Sequence, residues 1–214
     1  MPRAMPPLAA QFAQQVDKAL LIAEIGERIR ISSPRGSIAW RELYPARLEV
    51  LYEMAYLRIF MLWESYLEES FLRYLCGYST TVGLASLINP PQKTLAAART
   101  AMLGGRPFVS WSQPTSVDGL CRRRFINNGL HELVVKSNRA RLEWFTCVRN
   151  RVAHGSTHSK SQFDIATMGL LGRRYTGASP GRFLRDWVFG VSPVERWIQS
   201  IATEFKNLAA QIVP

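Results

Sequence analysis

The stretch SNRARLEWFTCVRNRVAHG, residues 137–155, decides how this chain is read. Ser137 or Asn138 can cap the first free N–H groups of a helix, and Gly155 stands where a helix-ending left-handed residue is wanted. Leu142, Phe145, Val148 or Arg149, and Val152 recur at steps of three and four, so one face is apolar and the other polar. The spacing predicts a helix over 137–154.

Outward from that segment, the same periodicity predicts three further core helices. One covers about 8–31, with Phe12, Val16, Ala19 and Ala23 on one side, and the run Ser32 to Gly36 ends it. The longest covers about 44–76. In it Leu48, Leu51, Ala55, Ile59, Leu62 and Tyr66 run beside Trp63, Leu67, Phe71 and Tyr74, a stripe wide enough for two neighbours. At about 1.5 Å per residue it spans roughly 50 Å, the length of a bundle's backbone. The fourth covers 193–212, with Val194, Trp197, Ile201, Phe205 and Leu208 inward.

Shorter helices are expected over 92–102, around Cys121 to Phe125, and over 163–171. The insertion-like connection 104–116 holds Phe108 and Trp111, which either pack under the loop or offer stacking faces to unpaired bases. Residues 155–161 read as a polar loop and 172–181 as a basic turn region. No segment alternates long enough to require a sheet. The expected fold is all-α, a helical bundle with a long central helix and irregular insertions, in one domain over 1–214.

With 47% hydrophobic and 20% charged residues in 214, the composition is that of a globular chain with one core. No apolar run approaches the roughly 18 residues that cross a bilayer. Met1 to Pro7 lacks the apolar stretch of a signal peptide, so a cytoplasmic protein is expected. Cys76, Cys121 and Cys147 are odd in number and far apart, which suggests neither a disulfide scaffold nor a zinc site. A formal charge of +11 attracts polyanions, so nucleic acid is the expected partner and an acidic protein chain the alternative.

The last turn of the 137–154 helix carries Arg149, Asn150, Arg151 and His154. At about 100° per residue Asn150 and His154 share a face, with Arg149 roughly 100° further round. The three side chains can flank one small anion. The exposed carbonyls of a final helical turn favour positive charge on His154. A proton donor beside a guanidinium is what phosphodiester cleavage uses. The structural alternative makes Arg149 a buried salt-bridge partner and His154 a helix cap.

The string from Arg149 to Gly155 resembles the Arg-x(4–6)-His motif of the HEPN superfamily, in its Arg-Asn-x-x-x-His form. Two other pairs, Arg124 with His131 and Arg151 with His158, also fall at a permitted spacing. Only Arg149 and His154 have Asn directly after Arg, a small residue before His, Gly after it, and an amphipathic helix in front. The stretch from Leu62 to Glu69, LWESYLEE, is similar to the long-helix segment of defence-associated HEPN proteins.

The resemblance implies a HEPN-like bundle. It further implies a metal-independent endoribonuclease, the toxin or effector of a toxin–antitoxin or antiviral system, with no cofactor. Arg149 and His154 would match the catalytic pair and Asn150 the polar residue beside the arginine. The cleft would form between two copies in a homodimer. RNA supplies its own nucleophile, the 2′-OH, so His154 would serve as acid/base while Arg149 stabilises the transition-state phosphate. Arg151, Arg122, Arg123, Arg173 and Arg174 are candidate contacts to the RNA backbone, and Glu64 or Glu68 could orient Arg149. Two alternatives stand beside this reading. One is a non-catalytic HEPN-type module that binds RNA or nucleotide, or serves as a partner or antitoxin subunit. The other is a helical subunit whose basic face meets an acidic chain.

Overall fold

Leu48, Tyr52, Ala55, Ile59, Trp63, Leu67 and Phe71 recur at steps of three and four, and every one is buried. That stripe forms α3 (Pro45–Leu75), a 31-residue helix, because only a continuous helix keeps so many apolar side chains on one side. The computed structural model describes residues 3–127, 129–177 and 179–214. Met1, Pro2, Asn128 and Ala178 lie outside the described residues, and with them parts of the turns expected at Asn127 to Gly129 and over 172–181.

Helix accounts for 67% of the described residues. Before α3 come α1 (Leu8–Ser32) and α2 (Ile38–Glu42). After it come α4 (Leu95–Leu103), α5 (Pro114–Arg122), α6 (Gly129–Ser137) and α7 (Arg139–Ala153). The chain then forms α8 (Thr157–Leu171), α9 (Pro180–Arg185) and α10 (Trp197–Ile212). No helix among the described residues is long and apolar enough to cross a membrane. None of the three cysteines forms a disulfide among the described residues.

The chain groups into two compact units. The first comprises Met1–Phe12, Trp63–Glu143 and Lys206–Pro214. Its core centres on Phe71, whose ring meets Trp111, Phe125 and His131 edge-on at 5.6, 5.2 and 5.4 Å. The Tyr66 and Tyr74 hydroxyls donate to the Ala209 and Ile212 carbonyls at 2.6 and 2.5 Å, so these buried phenols keep partners. The second unit comprises Ala13–Leu62 and Trp144–Phe205. There Phe205 meets Phe60 and Phe145 at 5.8 and 5.4 Å, and Phe183 stacks on Trp197 at 5.2 Å.

The structure corrects several sequence expectations. A small sheet exists: β1 (Arg3–Ala4) pairs in parallel with β2 (Tyr78–Thr80), which pairs antiparallel with β3 (Gly83–Leu84). Strands of two or three residues are too short to show alternation. Ser137 closes α6 instead of opening α7, and Asn138 turns its side-chain amide back to the Val134 carbonyl at 2.9 Å. The helix expected around Cys121 to Phe125 starts earlier, at Pro114, where the fixed φ of proline suits a first turn. It ends at Arg122, so Arg123 lies at its cap. The final helix begins at Trp197, four residues after the expected start, since 186–197 are tied into a loop of their own.

Candidate functional site

Three local features place the tail of α7, all within the second unit. The buried Phe145 and Val148 anchor the apolar face, and the Tyr56 hydroxyl donates to the Phe145 carbonyl at 2.8 Å. Gly169 on α8 lets Trp144 approach closely, because a Cβ there would come within 2.4 Å of the indole ring. Ser156 then caps α8 by accepting from the Ser159 N–H at 3.2 Å. Residues 157–161, read from sequence as loop, are therefore the first turn of α8.

On this frame Arg149 and Asn150 are half-buried and His154 is exposed. The Arg149 Nη1 donates to Asn150 Oδ1 at 3.1 Å, so the amide holds the guanidinium at the helix end. The His154 N–H donates to the Asn150 carbonyl at 2.9 Å, which carries the helical turn one residue beyond Ala153. The His154 carbonyl in turn lies 2.7 Å from the buried Ser159 hydroxyl. Its backbone is thus fixed from both sides while the imidazole faces solvent. Gly155 does not take the left-handed conformation expected of it, because the Ser156 cap turns the chain directly into α8.

Burial pushes the Tyr56 phenol well above its usual range, and the Arg149 charge opposes that shift. The guanidinium therefore sits near a hydroxyl that stays protonated. Arg151 points along the corner, its Nη1 3.4 Å from the Ser156 carbonyl. Burial raises the Glu53 carboxyl pKa and Glu49 adds to it, while a hydrogen bond from the Gly181 N–H and the Arg151 charge oppose the rise. Glu49 and Glu53, four apart on α3, accept from the Ser179 hydroxyl at 2.6 Å and the Gly181 N–H at 2.9 Å. Their spacing was legible as one helical face, but their role at the start of α9 was not.

The other sequence candidates fall elsewhere. Glu68 pairs with Arg99, its Oε1 2.9 Å from Nε. Glu64 is half-buried. Arg122, in the first unit, pairs with Asp118 at 3.0 Å and lies 3.7 Å from Glu132; Arg123 is exposed beside it. Arg173 and Arg174 are exposed in the second unit, after α8. Trp111 packs in the core and Phe108 is 71% exposed, so the two aromatics of the 104–116 connection have opposite fates.

The competing arginine–histidine pairs separate on burial. His131 is 1% exposed with Nε2 2.8 Å from the Ser70 hydroxyl, and burial lowers its pKa to about 3. It can neither reach a substrate nor carry a proton near neutrality. His158 is exposed in the first turn of α8, and its matching Arg151 is turned toward the Ser156 carbonyl. Arg149, Asn150 and His154 are the one set among the three that keeps a guanidinium, an amide and an open imidazole within six residues at the end of α7.

Comparison with known protein families, with characterised proteins and with solved structures finds no match to this chain.

Proposed function

We propose that the chain is a metal-independent endoribonuclease working at the end of α7, with a second copy supplying the other half of the cleft. The observation that carries this reading is the Arg149–Asn150 hydrogen bond at the end of α7, four residues ahead of an exposed His154 whose backbone is fixed. A charge of +11 draws RNA to the surface. The 2′-OH attacks the adjacent phosphorus and the 5′-oxygen leaves. His154 moves the proton, and Arg149 meets the charge that builds on the phosphoryl oxygens. Asn150 acts through Arg149, as a positioning residue. Such a protein fits the toxin or effector of a prokaryotic antiviral or toxin–antitoxin system, with an antitoxin or other defence protein as partner.

The test is incubation of purified protein with labelled RNA in chelator, followed by analysis of the product ends. Fragments ending in a 2′,3′-cyclic phosphate and a 5′-hydroxyl are expected, and His154→Ala and Arg149→Ala should each abolish them. Both variants should keep the melting temperature and oligomeric state of the wild type. RNA that is bound with a steep salt dependence yet never cut would instead make the chain a binding module. Loss of folding in both variants would assign the two residues a structural role.

A further inference from the structure

The loop before α10 carries a feature that cleavage at His154 does not use. Its base is tied by the Trp197 N–H to the Asp186 carbonyl at 3.0 Å and by the Val188 N–H to the Glu195 carbonyl at 2.9 Å. The tip leaves large apolar groups in water: Phe189 is 77% exposed, Val194 68%, and Trp187 50%. Together with Tyr175, buried Trp197 and the arginines 173 and 174, Trp187 and Phe189 line a hollow of about 320 Å³. All of these residues belong to the second unit.

The lining combines π faces with cations. The Arg173 guanidinium lies 5.4 Å from the Phe189 ring centre, while Arg196, outside the hollow, lies 4.2 Å from the Trp187 ring centre and backs that indole. Tyr175 donates to the Asp186 carboxylate at 2.8 Å, which fixes one wall. An apolar peptide would not need two arginines at the rim, and a bare phosphate would not need exposed tryptophan and phenylalanine. A nucleotide uses both, because every base has a π face and every phosphate a charge. The volume lies at the small end of ligand sites, which suits one nucleotide rather than a folded RNA.

We propose that this hollow binds one nucleotide, with its base stacked on Phe189 and Trp187 and its phosphate held by Arg173 and Arg174. The site rests on its own lining and does not require that the protein cleave RNA.

The experiment uses the full chain with His154→Ala, so that RNA stays intact whether or not the wild type cuts it. A labelled, unstructured, adenine-rich oligonucleotide is titrated by fluorescence anisotropy, and AMP by tryptophan quenching. Saturable binding is expected, weakened about tenfold by Phe189→Ala and again by Arg173→Ala, as loss of one stacked base or one phosphate contact would give. Phe189 and Arg173 are exposed, so neither variant should shift the melting temperature. Binding of AMP marks a free nucleotide as the ligand, and binding of the oligonucleotide alone marks an RNA strand. Absence of saturable binding to both probes, or wild-type affinity in both variants, overturns the proposal.

Discussion

Replacing His131 by glutamine should flatten the acid side of the stability curve. The imidazole is fully enclosed, edge-on to Phe71 and Tyr74 at 5.4 and 5.6 Å, with Ser70 Oγ 2.8 Å from Nε2. Burial lowers its pKa from 6.5 to about 3, and a hydrogen bond with the Leu67 backbone opposes this only partly. At pH 7 both folded and unfolded chains hold a neutral imidazole, and the shift contributes nothing. As pH falls below 6.5 the unfolded chain takes up a proton that the folded chain refuses, so folding is progressively disfavoured. At 1.36 kcal/mol per pH unit the loss is about 3 kcal/mol at pH 4.5 and about 4 kcal/mol at pH 3, where the folded imidazole begins to take up its own proton. Against a total of about 5–15 kcal/mol for a typical domain, that is a large share of the stability.

The assay is urea unfolding followed by circular dichroism from pH 7.5 to 4.5 at constant ionic strength. Glutamine keeps a polar group for Ser70 but cannot titrate, so the wild type should lose about 3 kcal/mol relative to the variant across that range. A difference between the two that stays constant with pH would refute the argument. Because His154 is exposed, His154→Ala should leave the urea midpoint at pH 7.5 unchanged.

Arg149→Lys keeps the charge but loses the planar fork, and should lower cleavage at least about a hundredfold with an unchanged melting temperature. Glu27 accepts from Arg185 at 2.6 Å and from the Tyr52 hydroxyl at 3.2 Å, and lies 3.5 Å from Arg196. Burial works to raise its pKa, but the Arg185 hydrogen bond and the charges of Arg185 and Arg196 hold it below 4.5. Glu27→Ala should therefore cost about 3 kcal/mol in urea unfolding at pH 7. The difference from the wild type should shrink as pH falls below 4.5, where the unfolded chain's carboxyl takes up its proton. Gly181→Ala would drive a Cβ to 2.4 Å from the Glu49 carbonyl oxygen, so it should cost about 1–3 kcal/mol, read as a lowered melting temperature.

Much of the helical layout was legible because apolar side chains repeat within a single turn of backbone. The spacing that marked Leu48, Ala55 and Ile59 as one face needs no knowledge of what covers it, and all three are buried. The loops were less legible. Ser156 looked like one polar residue among several, and only its contact with the Ser159 N–H makes it the start of α8. Nothing in the spacing of Trp187 and Phe189 shows that the ties at 186–197 hold them at the surface.

The candidate site shows the same division. Sequence alone determined that three arginine–histidine pairs fall within one permitted range of spacing, and that Asn150 stands between Arg149 and His154. Tertiary structure decided that His131 is sealed beside Ser70, that Arg151 turns to the Ser156 carbonyl, and that His154 stays open to solvent. The reason is physical: periodicity is a property of neighbours along the chain, whereas protonation, pairing and exposure depend on groups that only folding brings within a few ångströms.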